Sequence, residues 1–462
     1  MNEALVFFAY LRFCLGYKGN ISRVVAGMNW QELYSFASKQ ALLGLCFEGI
    51  ERLGKEYPEE LKRNPIGREL LMTWMGKAQQ IRRQNMKVNA VAGKLFSMLR
   101  EDGLRCCILK GQGNALMYPN PYSRTPGDID VWIDASRERI MKYTQKKFEL
   151  GDDIRLQHLE TSLDGVPVEL HFFPCSMNNP IYHARLQKWF KRNADLQCSN
   201  VVSLPDGAGD IAIPTMAFNV VYQLTHLYHH FFDEGIGMRQ IIDYYYVVCD
   251  FYKVYQKSSN PSVSLSKGSS TFSPSPSSSG SGDVTAPSRC SEPLRSKDGG
   301  PSKVSPDCAG WDRLDAIGAS KPSPGCAGWD RLDTTGDTSS VSCSSASTAL
   351  DVVQRELKYL GLWKFAGAVM YVLKEVLGLS EEKMIAPMDE KRGKLLLAEI
   401  LNGGNFGRHF TKYGGFTHQS MGKKYFLKIW RNMHFVRYYP AEALSEPIFR
   451  TWHFFWRVKN KK

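Results

Sequence analysis

No stretch of the sequence reaches the roughly eighteen uninterrupted apolar residues of a membrane-spanning helix. Asn2 and Glu3 stand at the N-terminus where a secretory leader would carry basic residues, so a cytoplasmic protein is expected. The eleven cysteines form no C-x-x-C pair and no spacing suited to zinc, which points to buried thiols in a reducing compartment. A G-x-S-x-G elbow is missing and no cysteine sits in a recognisable catalytic context, which argues against nucleophilic hydrolases.

What is present is apolar material. With 462 residues, 43% hydrophobic and 12% aromatic, the chain can bury one large core or two ordinary ones. Its formal net charge is +13, and the excess lies outside a roughly charge-balanced low-complexity segment, for example at Lys423, Lys424 and Lys459 to Lys462. A polyanionic partner (nucleoside triphosphate, nucleic acid or anionic surface) is one reading; a basic surface kept for solubility is the plainer one.

Apolar residues recur at helical spacing before residue 100, as in Val88, Val91, Ala92, Leu95, Phe96 and Leu99. Cys106 to Leu109 reads as a buried strand, Asp128 to Ile133 as a second, and Ser136 to Leu150 as a helix capped by Ser136. Leu156 to Leu163 and Val166 to Phe172 flank Asp164-Gly165, which favours the positive φ angles of a type I′ hairpin turn. Helices are expected again over Met216 to Phe231, Met238 to Tyr255 and Leu350 to Leu377.

Between 256 and 349 the composition shifts to Ser, Pro and Gly, too little apolar surface to offset the entropy of ordering. Within it Cys-Ala-Gly-Trp-Asp-Arg-Leu-Asp occurs at Cys308 to Asp315 and again at Cys326 to Asp333. Two copies are too few for a solenoid; a tandem duplication in a dispensable loop is expected, with short docking motifs as the sharper alternative. The expected organisation is thus a helical region over 1–100, a core over 101–255, a disordered insertion over 256–349 and a helical, basic and aromatic region over 350–462.

Asp128 and Asp130 are one residue apart on a predicted strand, so both carboxylates share a face while Ile129 points into the core. Like charges that close repel unless a hard cation such as Mg²⁺ lies between them. Glu169, alternating with Val168 and Leu170 on a later strand, can project to the same side. Such a trio holds ions roughly 3.5 to 4 Å apart in two-metal phosphoryl transfer. Lys110-Gly111-Gln112-Gly113 ends the preceding strand, where glycine lets backbone approach a phosphate. Arg124 could neutralise triphosphate oxygens or brace the aspartates. Each signal alone is weak; their order along the chain carries the weight.

Together these residues resemble the polymerase β-like nucleotidyltransferase superfamily. More narrowly, Leu109-Lys110-Gly111 through Tyr118-Pro119, then Arg124, Asp128-Ile129-Asp130 and Val168-Glu169-Leu170-His171, resemble the bacterial group called uncharacterised nucleotidyltransferases. The resemblance spans about Leu104 to His171 and extends more loosely through His226 and Arg239 to Asp243. It implies an α+β fold with a small mixed sheet, flanked by helices. Asp128, Asp130 and Glu169 would be the catalytic and metal-binding carboxylates for Mg²⁺ or Mn²⁺, and Gly111 would shape the triphosphate loop. The implied reaction moves a nucleoside monophosphate from a triphosphate to an acceptor hydroxyl of a small molecule, protein or RNA. Gln112 replaces the usual Gly or Ser, and the gap from Gly111 to Asp128 is longer than the common form. A catalytically weak or inactive nucleotide- or RNA-binding protein on the same fold therefore stays open as a second reading.

His226 and His230, four apart with His229, Asp233 and Glu234 nearby, read first as packing or hydrogen-bonding histidines and second as a metal site. Arg239 and Asp243 read as a helix pair. Tyr425 to Trp456 interleaves aromatic residues with arginine and lysine. The expectation there is a segment packed on the domain with solvated arginines; stacking on nucleic acid or weak contact with an anionic surface is the alternative.

Overall fold

The hairpin shows most directly how local sequence sets structure. In the computed structural model, which describes residues 3–148, 155–259, 346–407 and 421–460, Asp164 and Gly165 adopt φ of 51° and 73°. These are the two positive angles of a type I′ turn. They join β3 (His158–Leu163) to β4 (Val166–His171), with Leu163 opposite Val166 and His158 opposite His171.

β1 (Cys106–Ile108) pairs antiparallel with β2 (Ile129–Ile133), and β2 runs parallel to β4. The result is a mixed four-stranded sheet in the order β1-β2-β4-β3. Its apolar face, including Ile108, Ile129, Val131, Val168 and Leu170, packs on Val88, Ala92, Leu95 and Leu99 of the long helix Arg68–Glu101. On the other face Trp132 stacks near Phe218 of helix Met216–Asp233, which lies 4.4 Å from the ring of Trp189. Such aromatic pairs add about 0.5–1.5 kcal/mol each beyond their area.

Helices precede and follow this core, so the expected mixed α+β architecture with helical flanks is present. The helix after β2 starts at Arg137, with Ser136 accepting from the Arg139 amide, but ends at Lys147; Leu150 lies outside the described residues. Two elements were not anticipated: helix Pro180–Ser199, and a small sheet of β5 (Val201–Ser203) with β6 (Asp210–Ala212). The helix carries a legible start, Pro180 in its first turn and Asn179 accepting from the Ile181 and Tyr182 amides.

The helices beside the low-complexity segment run to Ser259 and begin at Ala346, so its two ends are narrower than expected; the duplicated octapeptide lies outside the described residues. No helix among the described residues is long and apolar enough to cross a membrane. The cysteines among them are free thiols, mostly buried, as expected.

The C-terminal region forms helices Met421–Met433 and Pro440–Asn460, and here the solvated-arginine expectation holds for the exposed Arg437 but fails for Arg431 and Arg450. Arg431 is buried and donates to the Phe231 carbonyl, while Arg450 bonds Asp233 and Glu446. Phe435 and Tyr439 are buried, whereas Trp430, Ile448 and Phe455 are exposed. Asp233 at the end of the histidine-bearing helix holds Arg450 and Lys428, and Glu399 faces Arg431, partners invisible in a local reading.

Candidate active site

The sheet's register brings the three carboxylates together. Asp130 on β2 sits directly beside Glu169 on the parallel β4, and Asp128 lies just before β2 on the same side. One carboxylate oxygen from each of Asp128, Asp130 and Glu169 lies within 4.8 Å of the others. Asp130 is buried, and among the described residues its Oδ2 has no hydrogen-bond partner. The charge of Asp130, together with burial, pushes the Asp128 carboxyl up to about 6. Three converging carboxylates, one with an unsatisfied buried oxygen, form the hard-oxygen donor set that fits a divalent cation.

Lys110 reaches this centre from the end of β1. Its Nζ is 3.1 Å from Asp130 Oδ1 and 2.8 Å from His226 Nε2. Burial opposes its charge, but Asp130, Asp128 and Glu169 outweigh burial and hold its pKa above the usual lysine value. Gly111 follows with φ 59° and ψ −107°, a conformation costly for residues with a Cβ, and so turns the chain away after Lys110.

Two histidines complete the centre. The Nε2–H of His171 donates to Asp130 Oδ1 at 3.1 Å and Glu169 Oε2 at 3.2 Å. Although burial disfavours its cation, those bonds raise His171 to about 9, and against burial the same contacts pull Glu169 below the usual carboxylate range. His158 faces Glu169 Oε2 across 3.4 Å, and burial lowers it to about 4.

All of these side chains line one cavity of about 1170 Å³. Its wall adds Lys39, Lys77, Arg155, Arg239 and Lys428 to the acidic floor, with Phe406 as an aromatic contact. Its size suits a ligand as large as a nucleotide.

Of the residues singled out from sequence, Asp128, Asp130, Glu169 and Lys110 line this cavity, and Gly111 and Arg124 line an adjoining recess. Gln112 and Gly113 are buried and line neither; the Gln112 amide bonds Asn89. Arg124 is committed to Asp243 through two bonds of 2.8 Å. That overturns the expected Arg239–Asp243 pair: Asp243 takes Arg124 and the Tyr118 hydroxyl, and Arg239 donates to the Thr125 carbonyl. His226 and His230 are hydrogen-bonding residues beside the sheet, as first read, with their Nε2 atoms 3.1 Å apart.

The roles of His158 and His171 were missed, though a signal existed. A two-residue turn at 164–165 makes opposed residues sum to a constant, which sets His158 against His171; alternation then places His171 on the face of Glu169.

Residues 26–254 match the model of a family described as "Uncharacterised nucleotidyltransferase". This segment covers the sheet, the three carboxylates and the histidine-bearing helix, and it supports a nucleotidyltransferase at that general level. No curated protein and no solved structure matches the chain.

Proposed function

We propose that the protein is a metal-dependent nucleotidyltransferase that moves a nucleoside monophosphate from a nucleoside triphosphate to an acceptor hydroxyl. The observation that carries this reading is the convergence of Asp128, Asp130 and Glu169, with the partnerless buried Oδ2 of Asp130, at the floor of a nucleotide-sized cavity. Asp128, Asp130 and Glu169 would hold Mg²⁺ or Mn²⁺. Bound there, the cation supplies charge neutralisation for the triphosphate and Lewis acidity at the reacting phosphorus.

In the proposed reaction the acceptor oxygen attacks the α-phosphorus and forms the new P–O bond. The bond from that phosphorus to the bridging oxygen breaks, and pyrophosphate leaves with its electron pair. The hydroxyl proton passes to a carboxylate of the centre. Lys110 stays charged beside Asp130 and limits the repulsion among the carboxylates. Arg239, Lys39 and Lys77 offer positive charge along the cavity wall for the phosphates or a polyanionic acceptor.

The test supplies α-labelled ribonucleoside triphosphates, one at a time, with Mg²⁺ or Mn²⁺ and cell extract. Label should move to an acceptor with wild type and not with Asp128→Ala/Asp130→Ala. Nucleotide binding without transfer, insensitive to metal, would replace this reading with that of a non-catalytic binder.

A further inference from the structure

The carboxylate trio leaves one part of the centre unexplained. His158 is buried, and among the described residues neither of its ring nitrogens makes a hydrogen bond, Glu169 and Glu160 standing off at 3.4 and 3.6 Å. Leaving a buried polar atom unpaired costs about 1–3 kcal/mol, so a ring held this way points to a missing partner. It stands opposite His171 across the hairpin, their ring centroids 5.0 Å apart, and both face Glu169.

We propose that His158, Glu169 and His171 form a second metal position, selective for a borderline first-row ion such as Zn²⁺ or Co²⁺ over Mg²⁺. Three observations carry it. First, the Nδ1 of His158 is 3.4 Å and the Nε2 of His171 is 3.2 Å from Glu169 Oε2. Metal–ligand bonds of 2.0–2.2 Å in a tetrahedral site set neighbouring donor atoms about 3.3 Å apart. Second, two imidazoles with one carboxylate are the donor set of such ions, whereas Mg²⁺ keeps to oxygen ligands. Third, the hairpin register fixes both ligand positions, setting His158 opposite His171 on paired strands with Glu169 two residues before His171. Both histidines line the cavity, so a coordination position remains open towards a substrate.

This position shares Glu169 with the proposed transferase centre but does not require turnover, and it is tested without nucleotide. The full chain is stripped with a chelator and titrated with Co²⁺ in excess Mg²⁺, following the visible absorption of the bound ion. Wild type should bind Co²⁺, and His158→Gln and His171→Gln should each weaken binding by at least about tenfold. His183→Gln, outside the cavity lining, should leave it unchanged. Equal affinity in wild type and both hairpin variants, or no Co²⁺ bound in excess Mg²⁺, overturns the proposal. X-ray absorption of the Zn²⁺-loaded wild type needs no variant: two imidazole ligands are expected, and fewer would equally refute it. Loss of nucleotide transfer with Co²⁺ binding intact would count against the transferase reading alone.

Discussion

Arg124 with Asp243, and Asp128 with Asp130, are two charge assemblies lining the same recess and resolved in opposite ways. In the first, opposite charges meet through two bonds of 2.8 Å, and the Tyr118 hydroxyl fills the remaining site on Asp243 at 2.7 Å. Burial would raise the Asp243 carboxyl, but the guanidinium holds it below the usual carboxylate range. In the second, like charges face each other, Asp128 is pushed up to about 6, and a buried oxygen of Asp130 has no partner. Satisfied charge is spent on holding the fold; unsatisfied charge is left for a ligand.

The sharpest way to break this contrast is to remove one member of each pair. Arg124→Leu should cost about 3–5 kcal/mol in urea unfolding, because it strands Asp243 in the interior, and Arg124→Leu/Asp243→Leu should recover much of that loss. Asp128→Asn should instead leave the metal-free protein as stable as wild type or more so above pH 6, since it removes a repulsion. A loss under about 1 kcal/mol for Arg124→Leu would dissolve the distinction.

Metal should reverse the second half of the comparison. At a concentration a hundredfold above its Kd, Mg²⁺ should stabilise wild type by about 2.7 kcal/mol, seen as a rise in Tm. In Asp128→Asn/Asp130→Asn the rise should vanish; an undiminished rise would place the cation elsewhere.

Glu442 is an intermediate case that refines the contrast at the smallest scale. It accepts from the backbone amides of Asn178 (2.6 Å) and Asn179 (3.3 Å) and is buried, with no cationic partner among the described residues. Burial pushes its carboxyl from 4.5 up to about 7. Its folded pKa lies above the unfolded one, so its contribution is full below pH 4.5 and is lost as pH rises through 7. The slope is at most about 1.4 kcal/mol per pH unit. Glu442→Gln should flatten the fall in Tm between pH 5 and 8; an unchanged profile would assign that slope to another group.

These elements also mark what the sequence could disclose. Strand alternation announced that Asp128 and Asp130 share a face, and the Asp164-Gly165 turn announced its hairpin, because both depend on backbone periodicity and φ preference within a few residues. That Glu169 joins the two aspartates was implied by the family resemblance, but the pairing of β2 with β4 that sets Asp130 against Glu169 is not derivable from either strand alone. Arg124 was assigned to the site or its support, and its partner Asp243 lies 119 residues away, beyond any local rule. Gln112 was placed at the phosphates, yet its amide is turned to Asn89 on the long helix, a contact decided by tertiary packing. Arg431 and Arg450 follow the same logic: local composition shows cations beside aromatics, and the distant carboxylates Glu399 and Asp233 decide where they go.

Asp233, at the end of the histidine-bearing helix, has a consequence for synthesis. Its carboxylate is bonded by Lys428 and Arg450, 195 and 217 residues further along the chain, and Asp233 and Lys428 both line the cavity. At roughly 5–20 residues per second, a ribosome makes Asp233 some ten to forty seconds before Lys428. The sheet and its carboxylates can form in that interval, but the cavity wall cannot close. The nascent chain therefore carries an acidic centre exposed to solvent until the helix bearing Lys428 is made.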